Sequence, residues 1–422
     1  MNIWIKNATI LTMDDENLLL EGQNLYIKEN RIFHIGDKLD SFVAEKEIDA
    51  SKKVLMPGLI NAHTHLAMSI FRNFGNDVSL ETWLEEYIWP AETNITPEDV
   101  RIGSELSMAE MIESGTTSFI DMYYYMDEVA KAAEETGVRG ILTRGMTNPS
   151  EEVLQGERDF YKKWHKKANG RLEMMVGSHA VYTNDREHLI KERDLAEELN
   201  VGLHIHLNES QNEVNNSIKA NKLPPLEYVD TLGMLNNKTI AAHCVWLSER
   251  EKEIAIERRI NMVHNPASNM KLASGFMEAQ RLIDAGGNVC LGTDGVASNN
   301  IMDMFDEMRL ASLIAKGRYL DPTNLKALTV LKMATVNGAK AMGKENELGK
   351  IKEGYLADLI LIDFDNIRHV PNNDIIAALV YSTNGFDVDT TIIDGNVLYE
   401  NKEFVNINIE ELKSKLDNIF KR

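Results

Sequence analysis

Histidines at short, regular spacing are the most chemically capable residues of this sequence. His63 and His65 stand one residue apart at the end of the apolar run VLMPGLINAHTH, and His204 and His206 repeat that spacing in VGLHIHLNE. Because side chains alternate along a β-strand, each pair places two imidazoles on the same face. Neutral imidazole nitrogens together with a carboxylate are typical ligands of Zn2+, and Fe2+ or Mn2+ accept similar ligands. The two pairs therefore indicate a metal site.

Other polar residues also stand where apolar segments end. They are His179 in LEMMVGSHA, Glu209 after the second histidine pair, His243 in KTIAAHCVW and Asp294 in NVCLGTDG. A lone histidine at a strand end is more often a hydrogen-bonded core residue than a ligand. Burying the whole set without partners would cost several kcal/mol, however, and a divalent cation removes that cost. With one coordination position open to water, such a site is catalytic rather than structural.

The elements that carry these residues follow a repeating pattern. Eight strand-like segments alternate with segments of helical character, several of which end at a glycine. The eight are VLMPGLINAHTH, TTSFIDM, VRGILTRG, LEMMVGSHA, VGLHIHLNE, KTIAAHCVW, INMVHNPAS and NVCLGTDG. Repeated strand–helix units pair in parallel, so the sequence predicts an α/β fold with a TIM-type (β/α)8 barrel over residues 55–346. Such barrels carry their chemistry at the carboxyl ends of the strands, where these histidines fall.

The two ends of the chain show a different pattern. Residues 1–54 and 347–422 contain short alternating strands, such as NLYIKENRIFHIG and TTIIDGNVLYENKEF, with glycine-containing turns. They predict one small β-sandwich domain to which both termini contribute. The closing stretch IEELKSKLDNIFKR suits a short amphipathic helix packed on the protein's own surface.

Composition excludes several classes of partner. Of the 422 residues 43% are hydrophobic, yet no apolar run approaches the roughly 20 residues of a membrane span. The N-terminus lacks the pattern of a secretory signal, so we expect a cytoplasmic protein with no membrane partner. The net charge of −21 argues against nucleic acid as a partner. Cys244 and Cys290 form no CxxC pair, which predicts two core residues rather than a disulfide or a thiolate metal site.

Six motifs carry a resemblance to a known family. They are PGLINAHTH, SGTTSFIDM, HLNES, AAHC, HNPASNMKL and GTDGVASNN. The sequence resembles the amidohydrolase superfamily, and within it most closely the 5-methylthioadenosine/S-adenosylhomocysteine deaminases. The resemblance extends over nearly the whole chain, since GKIKEGYLADLILID is similar to the segment with which the family returns to its terminal β domain.

The resemblance implies a single Zn2+ per chain, with Fe2+ or Mn2+ as alternatives. The implied ligands are His63, His65, His206 and Asp294. The implied catalytic residues are Glu209, which protonates the ring nitrogen, His243, which orients the attacking hydroxide, and Asp294, which accepts a proton from water. Two-metal members use a lysine at the end of strand four, where this sequence has none. His204 is interpreted as a packed neighbour of the ligands and His264 as a hydrogen-bonded neighbour of the site.

Substrate-binding residues are also implied, with alternatives that stay open. They are Trp83, Glu92, Arg144, Arg158, His179 and Ser298. Trp83 would press on the substrate, or simply pack in a lid. Glu92 would accept the two ribose hydroxyls, or lie at a helix N-terminus. Ser298 would join His179 at the purine edge, or cap the helix that follows.

Two arginines are implied as partners of a substrate carboxylate. Arg144 ends the third predicted strand and can form a bidentate pair with the amino-acid carboxylate of S-adenosylhomocysteine. Arg158 is the second candidate, although the loop before it differs in length from the family pattern.

The expected function is metal-dependent hydrolytic deamination of an adenine ring. S-adenosylhomocysteine, 5-methylthioadenosine or adenosine would give the inosyl product and ammonia. One alternative is an aminohydrolase of a free base or a triazine, of the guanine, cytosine or chlorotriazine type. An alternative from another class is a non-catalytic barrel that serves as a binding module. The expected partner is a small-molecule nucleoside, and association into a homo-oligomer stays open.

Overall fold

Strands from both ends of the chain form one nine-stranded sheet. The structure is a computed structural model that describes residues 1–419. The strands are β1 (Ile3–Leu11), β2 (Leu19–Lys28), β3 (Arg31–Gly36), β4 (Lys46–Asp49), β5 (Lys53–Pro57), β16 (Leu359–Asp363), β17 (Val388–Ile393), β18 (Asn396–Glu400) and β19 (Glu403–Phe404). Their order is β19-β18-β17-β16-β5-β1-β2-β3, with β4 beside β1. The two termini thus build one sheet, while its arrangement as a sandwich stays a prediction.

The segment between these ends carries parallel strands. They are β6 (Leu59–His65), β7 (Thr116–Tyr123), β8 (Arg139–Arg144), β9 (Leu172–Met174), β10 (Val176–Ala180), β11 (Leu203–Leu207), β12 (Ile240–His243), β13 (Asn261–His264), β14 (Asn288–Leu291) and β15 (Asp294–Gly295). They run in the orders β15-β6-β7-β8-β9 and β10-β11-β12-β13-β14. The fourth predicted strand is observed as two strands, β9 and β10, and the eighth as two strands, β14 and β15. The parallel α/β fold is confirmed.

The first predicted strand is divided at Gly58, which corrects the expectation of one continuous strand. β5 pairs antiparallel with β16 in the terminal sheet, while β6 pairs parallel with β7. A Cβ atom at Gly58 would lie 2.2 Å from the side chain of Thr117, so only glycine fits between the two sheets. The backbone N–H of Gly58 donates to the carbonyl of Asp358. This glycine therefore lets the chain pass from the terminal sheet to the histidine-bearing strand.

Helices cover the parallel strands. They are α1 (Leu80–Thr82), α2 (Trp89–Glu92), α3 (Pro97–Glu113), α4 (Met126–Thr136), α5 (Glu151–Trp164), α6 (Arg186–Leu199), α7 (Gln211–Asn221), α8 (Pro225–Thr231), α9 (Glu249–Arg258), α10 (Pro266–Lys271), α11 (Ala279–Asp284), α12 (Val296–Asn299), α13 (Met304–Tyr319), α14 (Ala327–Met333), α15 (Val336–Ala341), α16 (Ile375–Tyr381) and α17 (Ile409–Ile419). Short 3-10 turns lie at Leu66–Phe71, Ala168–Gly170, Ile367–His369 and Gly385–Asp387, and a π turn at Trp83–Ile88. Several helices begin at local sequence signals, such as the capping box of Thr96 and Asp99 at the N-terminus of α3.

The C-terminal helix, the two cysteines and the apolarity of the helices can be compared with the expectations from the sequence. In α17, Leu412 packs against Ile102 and Ala109 of α3, so the described part of the C-terminal stretch lies on the protein's own surface. Residues 420–422 of that predicted helix fall outside the described residues. Cys244 and Cys290 are both buried and unpaired, as expected. Among residues 1–419, no helix is long and apolar enough to cross a membrane.

Candidate active site

Imidazoles from β6 and β11 converge at the carboxyl ends of the parallel strands. The ring centroids of His63 and His65 are 4.9 Å apart, and that of His206 lies 4.9 Å from His63 and 5.3 Å from His65. Ligand atoms of these three residues lie within 4.8 Å of one another, as do those of His63, His243 and Asp294. The alternation along each strand thus brings distant parts of the chain to one point.

Hydrogen bonds fix which nitrogen of each ring is free. Nδ1 of His65 lies against the carbonyl of Met122, and Nδ1 of His206 lies 2.7 Å from the carbonyl of His179. A carbonyl only accepts, so each Nδ1 carries the proton and each Nε2 keeps its lone pair. The two Nε2 atoms are 3.3 Å apart. Two lone pairs facing each other at this distance would be stabilised by a cation between or beside them.

His63 is oriented by a chain of hydrogen bonds that passes through His204. The hydroxyl of Thr143 donates to the carbonyl of Asp121 at 2.6 Å, so it accepts from Nδ1 of His204 at 3.2 Å. Nε2 of His204 then accepts from Nδ1 of His63 at 2.9 Å. The remaining nitrogen, Nε2 of His63, is buried and has no hydrogen-bond partner among the described residues. His204 is therefore a neighbour that holds a ligand.

Asp294 supplies the carboxylate of the cluster. Its Oδ1 lies 3.4 Å from Nε2 of His63 and 3.2 Å from Nε2 of His65. Its Oδ2 accepts hydrogen bonds from Ser268 at 2.6 Å and from Ser298 at 3.0 Å. Burial alone would raise the pKa of this carboxyl, but the adjoining imidazoles of His63 and His65 bring it well below its usual range. The three free imidazole nitrogens and this ionised oxygen form a donor set that fits a divalent cation.

Glu209 and His243 lie beside this cluster. Oε2 of Glu209 is 3.5 Å from Nε2 of His243, and its Oε1 accepts from Ser274 at 3.2 Å. Burial, with the negative charge of Asp294, raises the pKa of Glu209 well above its usual range. Nδ1 of His243 accepts from the amide of Asn269 at 3.0 Å, which leaves the proton on Nε2. The site thus combines a carboxyl whose pKa is raised with an imidazole N–H.

Two connected cavities open from these residues. What we call the inner cavity is lined by His65, Trp83, Glu92, Tyr123, His179, Tyr182, His206, Glu209, His243, Asp294 and neighbouring apolar side chains. The outer cavity is lined by Trp89, Glu92, Thr93, Tyr124, Tyr125, Arg144, Thr147, Asn148, His179, Thr183 and neighbours. Since Glu92 and His179 line both, the two cavities are adjacent, with the inner one at the histidine cluster.

Three of the predicted substrate residues line these cavities near the lid. Trp83 is buried and lines the inner cavity, so both interpretations of it stay open. Glu92 ends α2 and accepts a hydrogen bond from the hydroxyl of Tyr123 at 2.7 Å. Glu92 belongs to the single turn of α2, while Thr96 caps the next helix, so its alternative as a residue at a helix N-terminus stays open. Burial lowers the pKa of His179 to about 4, so this ring faces both cavities in its neutral form.

Of the other three predicted substrate residues, Arg144 lines a cavity, whereas Arg158 and Ser298 do not. Arg144 lines the outer cavity, with its Nε 2.9 Å from Oε1 of Glu157. Arg158 is not brought to the site: it lies on α5, pairs with Glu198 at 2.6 Å and, among the described residues, lines neither cavity. Ser298 likewise lines neither cavity, because its hydroxyl donates to Asp294.

The capping alternative for Ser298 is wrong, since Asp303 caps α13. His264 also differs from expectation. Its two ring nitrogens have no hydrogen-bond partner among residues 1–419, and its ring packs edge-on against Phe276 with centroids 5.1 Å apart. The predicted hydrogen-bonded neighbour is therefore wrong, because an aromatic side chain occupies the place of a polar one.

Several supporting residues were not singled out from the sequence. Asn265, Ser268 and Asn269 hold His243 or Asp294, and they stand at i, i+3 and i+4 in HNPASNMKL. That spacing, which puts residues on one side of a helix, was the available signal. Tyr123, which holds Glu92, follows a strand of ordinary composition and gave no comparable signal.

Comparison with known proteins identifies the family. The model of the amidohydrolase family matches residues 54–398. The chain belongs to the amidohydrolase family. This amidohydrolase is 45% identical over 417 residues to a 5-methylthioadenosine/S-adenosylhomocysteine deaminase of Thermoanaerobacter pseudethanolicus, covering 98% of this chain and 97% of that protein. It is 43% identical over 419 residues to a 5'-deoxyadenosine deaminase of Methanobrevibacter smithii, covering 98% and 96%.

Solved structures agree with this amidohydrolase in fold. The crystal structure of a Xanthomonas campestris adenosine deaminase with bound zinc has a TM-score of 0.95 and 31% identity, covering 100% of this chain and 98% of that one. An atrazine chlorohydrolase of Arthrobacter aurescens complexed with zinc has a TM-score of 0.91 at 23% identity, covering 99% of both chains. The TIM-type barrel of this chain is thus confirmed by its neighbours.

Proposed function

We propose that this amidohydrolase hydrolyses the exocyclic C–N bond of the adenine ring in S-adenosylhomocysteine, 5-methylthioadenosine or adenosine. Water supplies the new oxygen at C6, and the products are the inosyl compound and ammonia. The observation that carries the proposal is the convergence of imidazole nitrogens and the Asp294 carboxylate on one point, beside Glu209 and His243. The names of the relatives, which deaminate adenosine derivatives, support the choice of ring.

A single divalent cation completes the proposed site, with zinc as the preferred ion because the Xanthomonas campestris relative binds it. His63, His65, His206 and Asp294 would hold it. When bound, such a cation lowers the pKa of a coordinated water to around 7, so that hydroxide is available at neutral pH. The hydrogen bonds on the Nδ1 side of the rings keep the ligands in the required tautomer.

Three side chains then handle protons. The carboxyl of Glu209 donates its proton to the ring nitrogen next to C6, which makes that carbon electrophilic. Asp294 accepts the proton that the attacking water loses, and the N–H of His243 donates a hydrogen bond to the oxygen as it bonds to C6. The proton taken up by Asp294 finally passes to the departing amine, so ammonia leaves. The hydroxyl at C6 then gives its proton to Glu209, which leaves a carbonyl at C6 and the hydrogen on the ring nitrogen.

The proposed substrate contacts follow the path from the inner to the outer cavity. The neutral ring of His179 would contact the purine, Trp83 would cover it, and Glu92 would accept the ribose hydroxyls. Arg144, farther out, would pair with the carboxylate of S-adenosylhomocysteine. Arg158 and Ser298, which contact Glu198 and Asp294, have no supporting contact for the substrate roles implied by the family pattern.

The experiment is an ammonia-release assay on the metal-loaded protein. S-adenosylhomocysteine, 5-methylthioadenosine, adenosine and 5'-deoxyadenosine are compared with guanine, cytosine and a chlorotriazine, and products are identified by chromatography. We expect inosyl products from the adenosines and no ammonia from the free bases. Turnover of a free base or a triazine alone would replace the nucleoside by that ring. A metal-loaded protein that turns over none of them would favour the binding module.

Further expectations accompany this function as proposals. The domain limits at residues 54/55 and 346/347, the sandwich form of the terminal sheet, a homo-oligomeric state and a cytoplasmic location all stay predictions. Nucleic acid and membranes stay excluded as expected partners on the sequence arguments alone.

A further inference from the structure

A glutamate occupies an apolar position on the buried face of α5. The buried residues of this helix are Leu154, Glu157, Phe160 and Trp164, spaced three or four apart as on one helical face. Glu157 has no exposed surface. Burial raises the pKa of its carboxyl to about 7, although the nearby charge of Arg144 opposes that rise. A carboxyl at this place is costly, since leucine would fill the same space at no electrostatic cost.

The group nearest to this carboxyl is the guanidinium of Arg144. Its Nε lies 2.9 Å from Oε1 of Glu157, at the point where β8 ends. This contact is an ion pair without hydrogen-bond geometry, since Nε of Arg144 and both oxygens of Glu157 have no hydrogen-bond partner among residues 1–419. The carboxyl thus pairs with the Nε side of the guanidinium, and the carboxyl makes no recorded contact with the two terminal Nη groups of an arginine that lines the outer cavity.

An arginine held on its Nε side is prepared for a ligand on its other side. The guanidinium is planar, and its paired N–H groups match the two oxygens of a carboxylate. A free arginine side chain loses considerable rotamer freedom when it binds, and holding it beforehand removes part of that loss. Simple anchoring of α5 to β8 would not need a buried charge, because the neighbouring apolar residues of this face already pack there.

We propose that Glu157 is a positioning residue that orients Arg144 toward the outer cavity, and that it thereby determines how well adenosines with a carboxylate at the end of the 5' substituent are bound. This inference rests on the proposed deaminase function. Glu157 touches no part of the substrate, so its effect is confined to molecules that engage Arg144. Binding of an adenosine with a short uncharged 5' substituent should therefore not depend on Glu157.

The test compares two substrates in variants of Glu157. In E157L we expect the KM for S-adenosylhomocysteine to rise about tenfold and its kcat to change less than about twofold, because binding alone is weakened. Both constants for 5-methylthioadenosine should stay within about twofold. E157Q keeps an oxygen at the same place beside Nε and should restore most of the affinity. The matched control is E192Q, since Glu192 on α6 is equally buried and forms no ion pair among the described residues.

A double-substitution cycle with R144M decides the mechanism. If Glu157 acts through Arg144, adding E157L to R144M causes no further loss on S-adenosylhomocysteine. Additive losses, or equal losses on both substrates together with a lower Tm, would assign Glu157 a purely structural role. A lower KM for S-adenosylhomocysteine in E157Q would show that Glu157 competes with the substrate, which also overturns the proposal. Failure of the deaminase function itself is distinguished by absence of turnover of 5-methylthioadenosine in the unsubstituted protein.

Discussion

The inner and outer cavities are built by different means. In the inner cavity and just behind it each imidazole is held by a hydrogen bond to a carbonyl, a hydroxyl, an amide or another ring, and His63, His204 and His243 are almost wholly buried. In the outer cavity Tyr124 and Tyr125 are 37% and 45% exposed, and Arg144 is the cation that faces it. A fixed inner end and an adjustable outer end indicate that the reaction is determined by one region and the choice of substrate by the other.

The origin of the residues explains this difference. The inner residues come from the ends of β6, β11, β12 and β15, whose positions are set by the hydrogen bonds between strands. The outer residues come from α2 and from the segments that follow β7 and β8, where the chain is less constrained. Changes in the inner region should therefore affect all substrates alike, whereas changes in the outer region should separate them.

The largest expected effect is that of H206A, which removes one predicted ligand. We expect bound metal to fall to a small fraction of one per chain and kcat/KM to fall more than about 10³-fold on every adenosine tested. Metal content by mass spectrometry and ammonia release measure the two losses. H34A, at a histidine of the terminal sheet, is the control. An H206A protein that keeps its metal and activity would remove His206 from the ligand set.

Much of the inner region could be predicted from the sequence, because strand alternation leaves little freedom. The spacing of His63 and His65 determines that both face the same side once the segment is a strand. The supporting residues were harder to find, since the hydroxyl of Thr143 matters only through a contact with His204, 61 residues away.

Less of the outer region could be predicted from the sequence. Arg158 lies on α5, so the side of the helix on which its side chain projects depends on where the helix begins. The loop before it differs in length from the family pattern, so the sequence does not determine that position. Glu157 did leave a signal, namely a charge in the apolar stripe of α5. The division at Gly58 depended on Thr117, a neighbour from another strand that no local pattern identifies.

A smaller effect is expected from H204F, which tests whether the inner region depends on its hydrogen bonds as well as its ligands. Phenylalanine keeps the ring but leaves Nδ1 of His63 without its acceptor, so His63 can adopt the wrong tautomer or rotate. Metal affinity should fall about 10- to 100-fold, with equal effects on all substrates once metal is saturating. Competition with a chelator measures this affinity. An unchanged affinity would show that His204 only fills space.

The smallest effect is expected from Y123F, at the boundary between the two cavities. The hydroxyl of Tyr123 donates to Glu92, and losing it should raise the KM of every riboside about threefold to tenfold with little change in kcat. That hydrogen bond also lowers the pKa of Glu92 against the effect of burial, so its loss should raise that pKa further. Glu92 would then be protonated at higher pH.

The rise in the pKa of Glu92 predicts how the KM of Y123F depends on pH. Because the ionised form of Glu92 accepts the ribose hydroxyls, the KM difference between Y123F and the unsubstituted protein should widen as pH falls and narrow as it rises. The ratio of S-adenosylhomocysteine to 5-methylthioadenosine turnover should not change, since both carry the same ribose. A change in that ratio would mean that Tyr123 belongs with Arg144 among the residues that choose the 5' substituent, and that the boundary between the two regions lies deeper than Glu92.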